Sequence, residues 1–327
     1  MRIAIVILLI MITSFSLFML FYGGYYIINP DMQGEEILNN MNIPYPTVIA
    51  HRGSSIVAPE STRPAYIKAR EVGADYLEAD LQRTKDGEII IFHDTNLQRT
   101  SNVEEVFPDR KEAEIGEFTY DELKELDFGS WFNQANPDYA REEYQGLEII
   151  KLEDLISIAK SGNHTPGLIL ETKAPEKYPG IEADTADILE KEGWLELDDN
   201  SDKALTILFS FSEDSVREFK ELVPDIPRIL LITDNMITRR SWRHWLDRAD
   251  GLADGLGTKG FMNWPWHIAA AHDRGMFVFP YTINELWQMK VLGRFQSSGY
   301  ITDRPDVVLE FLDRVPELPE LPEFDND

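Results

Sequence analysis

Apolar and polar positions along this chain fall into short blocks that alternate between two periods. Strand-like apolar runs occur at 47–50, 76–81, 89–92, 167–172, 206–210, 228–232, 252–256, 277–282 and around Tyr300-Ile301. Between most of them lie amphipathic stretches of helical period, such as 63–72, 152–161, 181–191 and 212–222. Strands alternating with helices predict a parallel sheet with helical crossovers. Taking 88–92 as the third strand gives about eight strands, the number that closes a (β/α)8 barrel. Pattern alone also admits an open doubly wound sheet. The stretch 95–148 breaks the rhythm. It is charged and carries Phe118, Trp131, Phe132, Tyr139 and Tyr144, and it reads as an insertion after a strand. Its aromatics suit a small core of their own; the other reading of Phe118, Trp131 and Phe132 is contact with an acyl chain.

The two ends differ from this body. Residues 3–28 carry no charge, and only Thr13, Ser14, Ser16, Gly23 and Gly24 interrupt the apolar run. A helix needs roughly 20 such residues to cross a bilayer. The exit, Tyr25-Tyr26-Ile27-Ile28-Asn29-Pro30, has interfacial tyrosines and no small-x-small cleavage site, which favours an uncleaved anchor over a removed signal. Arg2 before the segment puts the N-terminus on the cytoplasmic side and the body outside. The stretch 31–46 reads as a linker, and 315–327 as a Pro- and acid-rich solvated tail.

Charge narrows the function. Across 327 residues, 31 Lys plus Arg face 58 Asp plus Glu, a formal net charge of −27. Such a surface repels nucleic acid, although a bound cation can reverse the field locally. The chain has no cysteine, which excludes disulfides, thiolate metal sites and a Cys nucleophile. Among six histidines, His51 and His93 directly follow strand-like runs, where a parallel barrel gathers its catalytic groups. His164 precedes its strand, and His244, His267 and His272 fall in helical patterns, so these four read as structural. Glu78 and Asp80 stand two apart on one strand and share a face; Glu171 ends another strand, with Lys173 two residues on. Acids inside a barrel are costly unless paired or bound to metal. Three at strand ends make a hard-oxygen site suited to Mg²⁺ or Ca²⁺, and Arg52 and Lys173 beside them would hold a phosphate. The constellation describes metal-assisted attack on a phosphodiester; ordinary salt bridges on an acidic barrel are the other reading.

These residues also occur in an ordered series. His51-Arg52-Gly53, Ala58-Pro59-Glu60-Ser61-Thr62, Gly73 to Asp80, Thr84-Lys85-Asp86-Gly87, His93-Asp94 with Leu97, Arg99 and Thr100, Leu170 to Lys173, Tyr281 to Asn284 and Thr302-Asp303-Arg304-Pro305 together resemble the glycerophosphodiester phosphodiesterase family. The resemblance spans most of the chain beyond the anchor. It implies an α/β TIM barrel over 47–314 with an inserted subdomain at about 95–148, to which the apolar run adds an N-terminal transmembrane helix within 1–30. It implies hydrolysis of glycerophosphodiesters to glycerol 3-phosphate and an alcohol. In that scheme His51 and His93 are the acid/base pair, Glu78, Asp80 and Glu171 ligate Ca²⁺ or Mg²⁺, Arg52 and Lys173 contact phosphate, and Glu60 orients Arg52 or the metal shell. The attacking group is a neighbouring substrate hydroxyl or a metal-bound water. Two positions depart from the family pattern. Ser61 replaces a common Asn, and Tyr281 replaces a common Trp on the alcohol side of the pocket, which bears on headgroup preference. Two other functions fit the same residues: a lysophospholipase D-type hydrolase acting on membrane lysophospholipids, and an inactive barrel used as a binding module.

Overall fold

Eight of the apolar runs become the staves of one parallel barrel. A computed structural model of the chain describes residues 2–29, 33–198 and 202–315. The strands are β1 (Thr47–His51), β2 (Tyr76–Arg83), β3 (Ile89–Ile91), β4 (Gly167–Thr172), β5 (Thr206–Ser210), β6 (Arg228–Ile232), β7 (Gly255–Lys259), β8 (Phe277–Tyr281) and β9 (Gly299–Thr302). They pair in the order β8-β7-β6-β5-β4-β2-β1-β9, all parallel, with β3 outside this path. The β8–β9 seam closes on little hydrogen bonding: the Ser298 N–H reaches the Val278 carbonyl at 3.2 Å, and the Ile283 N–H reaches Ile301 at 2.8 Å. Composition explains the thin seam. The Phe277 N–H points to the β7 side and Val278 to the β9 side, so position 280 also faces β9, and Pro280 has no N–H to give.

The period-2 pattern sorts the strands into two faces. Ile49, Tyr76, Ile169, Ile207, Phe209, Ile229, Leu231, Phe277, Phe279 and Ile301 fill the interior, while Leu77, Ala79, Leu81, Leu168 and Leu170 face the helices. Glu78, Asp80 and Glu171 belong by alternation to the inner face, toward the C-terminal ends of β2 and β4.

Three expectations need correcting. The run at 89–92 is not a barrel stave: β3 runs antiparallel to the far end of β2, with Ile91 opposite Leu81. The segment 84–88 is too short for a parallel crossover and closes a hairpin, with the Thr84 N–H on the Glu88 carbonyl at 3.0 Å. The seventh stave lies at 255–259 rather than 252–256, because its inward residues Gly255 and Gly257 carry no apolar signal. A Cβ at Gly255 would lie 2.6 Å from the Phe277 ring, so the small residues make room for their neighbours. The linker 31–46 is partly structured: helix Gln33–Asn39 and the turn after it send Leu38 and Ile43 into the bottom of the barrel. In the insertion, Phe118 packs with Ile90, Phe92 and Leu97, and Phe132 with Tyr144, so both are buried and unavailable to an acyl chain. The predicted tail at 315–327 falls, apart from Val315, outside the described residues. At the other end, helix Arg2–Ile28 is apolar and long enough to cross a membrane.

Candidate active site

Strand register brings the acids together before any side chain is considered. His51 of β1 pairs with Glu78 of β2, and Asp80 of β2 pairs with Glu171 of β4. The chain then turns sharply after β1. Arg52 takes φ +56° and Gly53 φ +86°, and a Cβ at Gly53 would lie 2.6 Å from the Ala65 backbone. Only glycine fits there, and the left-handed turn swings the Arg52 guanidinium back over β2. Its backbone N–H donates to Glu78 Oε2 at 2.9 Å, Nη1 to Glu60 Oε1 at 2.9 Å, and Nε lies 3.1 Å from Asp80 Oδ2.

His93 reaches the same mouth by the β2–β3 hairpin. The Phe92 N–H donates to the Asp80 carbonyl at 2.9 Å, and the Gln82 amide donates to the carbonyls of Phe92 and Asp94, clamping both sides of His93. Each histidine is backed by a carboxylate. His51 Nδ1 lies 2.6 Å from Asp303 Oδ1, and His93 Nδ1 lies 2.6 Å from Asp94 Oδ1. With Nδ1 engaged, Nε2 is the nitrogen left for chemistry. Asp303 is itself fixed by Asn284 at 2.6 Å and Ser55 at 3.1 Å.

A chain of charges joins the two histidine arms. Arg99 donates to Asp94 at 2.5 Å and to both Glu60 oxygens at 2.8 and 2.7 Å; Glu60 in turn holds Arg52. Below them lies the acid cluster. One oxygen from each of Glu78, Asp80 and Glu171 falls within 4.8 Å of the others. Oxygens bound to one Ca²⁺ at 2.3–2.6 Å span about that range. Lys173 Nζ sits 2.6 Å from Glu171 Oε1 and 3.1 Å from Asp80 Oδ1. Both Asp80 oxygens and Glu171 Oε1 are buried and meet only the cations Lys173 and Arg52, so positive charge is what this pocket calls for. The donor set, three hard carboxylates, fits Ca²⁺ or Mg²⁺.

The electrostatics follow. Burial, reinforced by Asp80, pushes Glu78 well above the usual carboxylate range. Burial also raises Glu171, against the pull of Lys173. Asp80 goes the other way: despite burial, Lys173 and Arg52 hold it low. The three acids therefore compete for charge, and Asp80 takes it first. Burial and the Arg52 charge lower His51 in spite of Asp303, keeping its imidazole neutral.

His51, Arg52, Glu78, His93, Glu171, Lys173 and Tyr281 surround one cavity of about 180 Å³; Asp80 and Glu60 do not line it but pair with Arg52, which does. Its other wall is apolar, built from Phe209, Phe211, Leu231 and Tyr281, whose hydroxyl donates to the Ile232 carbonyl at 3.0 Å. Lys259, absent from the expected set, also lines it, with its ammonium 5.0 Å from the Tyr281 ring centroid. Asp94, Arg99 and Asp303 stand in quoted motifs, yet sequence assigned them no role. His164 lies away from the mouth, against the Ala74 carbonyl, and His267 sits in the outer helix Pro265–His272.

Comparison with known proteins identifies the family. The profile of the glycerophosphoryl diester phosphodiesterase family matches residues 51–307. A glycerophosphodiester phosphodiesterase of Bacillus subtilis is 32% identical over 259 residues, 79% of this chain and 84% of that protein. One from Caldanaerobacter subterraneus is 30% identical over 81% of this chain and 97% of its own length. Among solved structures, an Oleispira antarctica phosphodiesterase in complex with the product sn-glycerol-3-phosphate aligns with TM-score 0.69 and 27% identity, covering 82% of this chain and 97% of that one. With a matching profile across most of its length and relatives matched over most of theirs, this chain belongs to the glycerophosphoryl diester phosphodiesterase family of enzymes.

Proposed function

We propose that the chain hydrolyses glycerophosphodiesters to glycerol 3-phosphate and an alcohol with the help of a divalent cation, Ca²⁺ or Mg²⁺. The observation that carries this reading is the buried Glu78–Asp80–Glu171 cluster flanked by Arg52, Lys173 and two carboxylate-backed histidines. Glu78, Asp80 and Glu171 would hold the cation, which when bound offsets negative charge on the phosphoryl oxygens. Arg52 and Lys173 line the cavity and bind the phosphate. His51, kept neutral by burial and Arg52, takes the proton of the attacking oxygen; His93 Nε2 gives one to the leaving alkoxide. Asp303 and Asp94 fix the rings with Nε2 toward the substrate. Tyr281 and the phenylalanines of the apolar wall meet the alcohol. A substrate panel tests this: glycerophosphocholine and glycerophosphoglycerol should release glycerol 3-phosphate. Turnover of lysophosphatidylcholine alone would overturn it.

Two smaller predictions arise here. Glu60→Gln removes the charge that holds Arg52 and Arg99 together, so KM for the diester should rise about tenfold with a smaller change in kcat. Asp303 raises the pKa of His51, so Asp303→Asn should move the acid limb of the kcat/KM profile to lower pH. It should also lower kcat at least about tenfold, because the ring loses its tautomer restraint.

We place the chain as a single-pass membrane protein, anchored by helix Arg2–Ile28 with the barrel outside the cytoplasm. Support comes from the apolar span Ile5–Tyr26 and from Arg2 at its start. Membranes should retain the full chain through high-salt and carbonate washes, and detergent should release it. Recovery of a soluble form beginning near Asp31 would overturn the anchor.

A further inference from the structure

The barrel mouth carries apolar surface that the phosphodiester chemistry does not use. Beside the catalytic cavity, and sharing Lys259, Tyr281 and Thr282 with it, lies a groove of about 470 Å³. Its rim exposes large side chains: Phe261 is 71% exposed, Trp287 64% and Trp264 45%. Exposed aromatics grouped at one spot mark a contact surface rather than scattered surface apolarity.

The N-terminal helix indicates what covers it. Helix Pro265–His272 runs from the mouth, after β7, down the outside of the barrel. At its lower end His272 meets Gly34, where a Cβ would lie 2.9 Å from the imidazole. At its upper end the Trp266 ring lies 5.3 Å from the Tyr22 ring, beside Gly23. Helix Arg2–Ile28 therefore climbs from the bottom of the barrel to its mouth and continues past it. Residues 2–21 extend beyond Trp266 by about 30 Å at 1.5 Å per residue, one bilayer hydrocarbon thickness. Trp264 stacks on Trp266 with ring centroids 5.2 Å apart, so the exposed rim stands at the level where the helix leaves the protein. Trp and Tyr at that level match an interfacial belt.

Resting on the anchored reading above, we propose that Phe261, Trp264 and Trp287 insert into the headgroup boundary of the same bilayer and hold the catalytic mouth against its surface. The attraction is apolar, since a chain of net charge −27 gains nothing from anionic lipid.

The seven tryptophans make a direct test, because none lies in residues 1–30. The full chain is reconstituted into phosphatidylcholine vesicles whose acyl chains are brominated near the headgroup. Bromine should quench roughly a quarter of the tryptophan emission, the share of two interfacial indoles in seven. Combining Trp264→Phe with Trp287→Phe should remove most of that quenching. Absence of quenching in the unaltered chain, or quenching unchanged in the double variant, overturns the proposal. A carbonate wash of the same vesicles separates the two readings: a retained but unquenched chain fails docking alone, and a chain lost to the wash fails both.

Discussion

Replacing either mouth histidine should cost the enzyme roughly two to four powers of ten in kcat while leaving it folded. His51→Ala removes a neutral imidazole that Asp303 orients, and His93→Ala removes the ring that Asp94 orients. Neither ring belongs to the apolar interior, so the melting temperature should change little. The two losses should separate on a substrate with a good leaving group such as nitrophenolate. An alcohol that departs without a proton spares the acid, so His93→Ala should recover much of its rate and His51→Ala should not. Equal recovery by both variants would contradict the assignment. His267→Ala, remote from the mouth, should leave kcat nearly unchanged.

The acid cluster yields the second large effect. Without a cation, Glu78 is buried beside Asp80 and resists ionisation, as its raised pKa records. The sign follows from linkage. In the metal-free chain the folded state holds the Glu78 proton above the ordinary Glu pKa, so that stability is full at low pH and declines as pH rises past about 4.5. Ca²⁺ or Mg²⁺ should reverse the penalty by binding the folded state, raising the melting temperature with concentration. Glu78→Gln keeps the shape and removes the charge. It should stabilise the metal-free chain near neutral pH, abolish the cation-dependent rise, and lower activity about a hundredfold or more. Asp80→Asn should differ, because it strips Arg52 and Lys173 of their shared partner and so should destabilise even without metal. If the cation-induced rise is intact in Glu78→Gln, the metal lies elsewhere.

Much of this site was legible in sequence for a simple reason: the period-2 rule fixes the faces of β2 and β4. Glu78, Asp80 and Glu171 could be placed inside the barrel without knowing its closure. His93 was read at the mouth for the wrong reason. It arrives through an antiparallel hairpin, not at the end of a parallel stave, and Gln82 secures the turn. Lys259 was missed because Gly255 and Gly257 carry no apolar signal, so the seventh strand was read at 252–256 and position 259 fell outside it. Of the Asp94–Arg99–Glu60–Arg52 relay, only the Glu60–Arg52 contact was expected, and that from the family resemblance. The relay depends on a left-handed Arg52 and on segments brought together only by the closed barrel. The groove rim at Phe261, Trp264 and Trp287 was equally silent, since exposure is decided by what fails to cover a residue.

The central claim is that a cation held by Glu78, Asp80 and Glu171 makes the barrel mouth a glycerophosphodiesterase. The most direct measurement follows glycerol 3-phosphate released from glycerophosphoglycerol by the detergent-solubilised full chain, first with EDTA and then with Ca²⁺ or Mg²⁺ restored in excess. Release should be negligible in EDTA and recover fully when the cation is added to the unaltered chain, with no recovery in Glu78→Gln. Undiminished release in EDTA, or equal recovery in the variant, would contradict the claim.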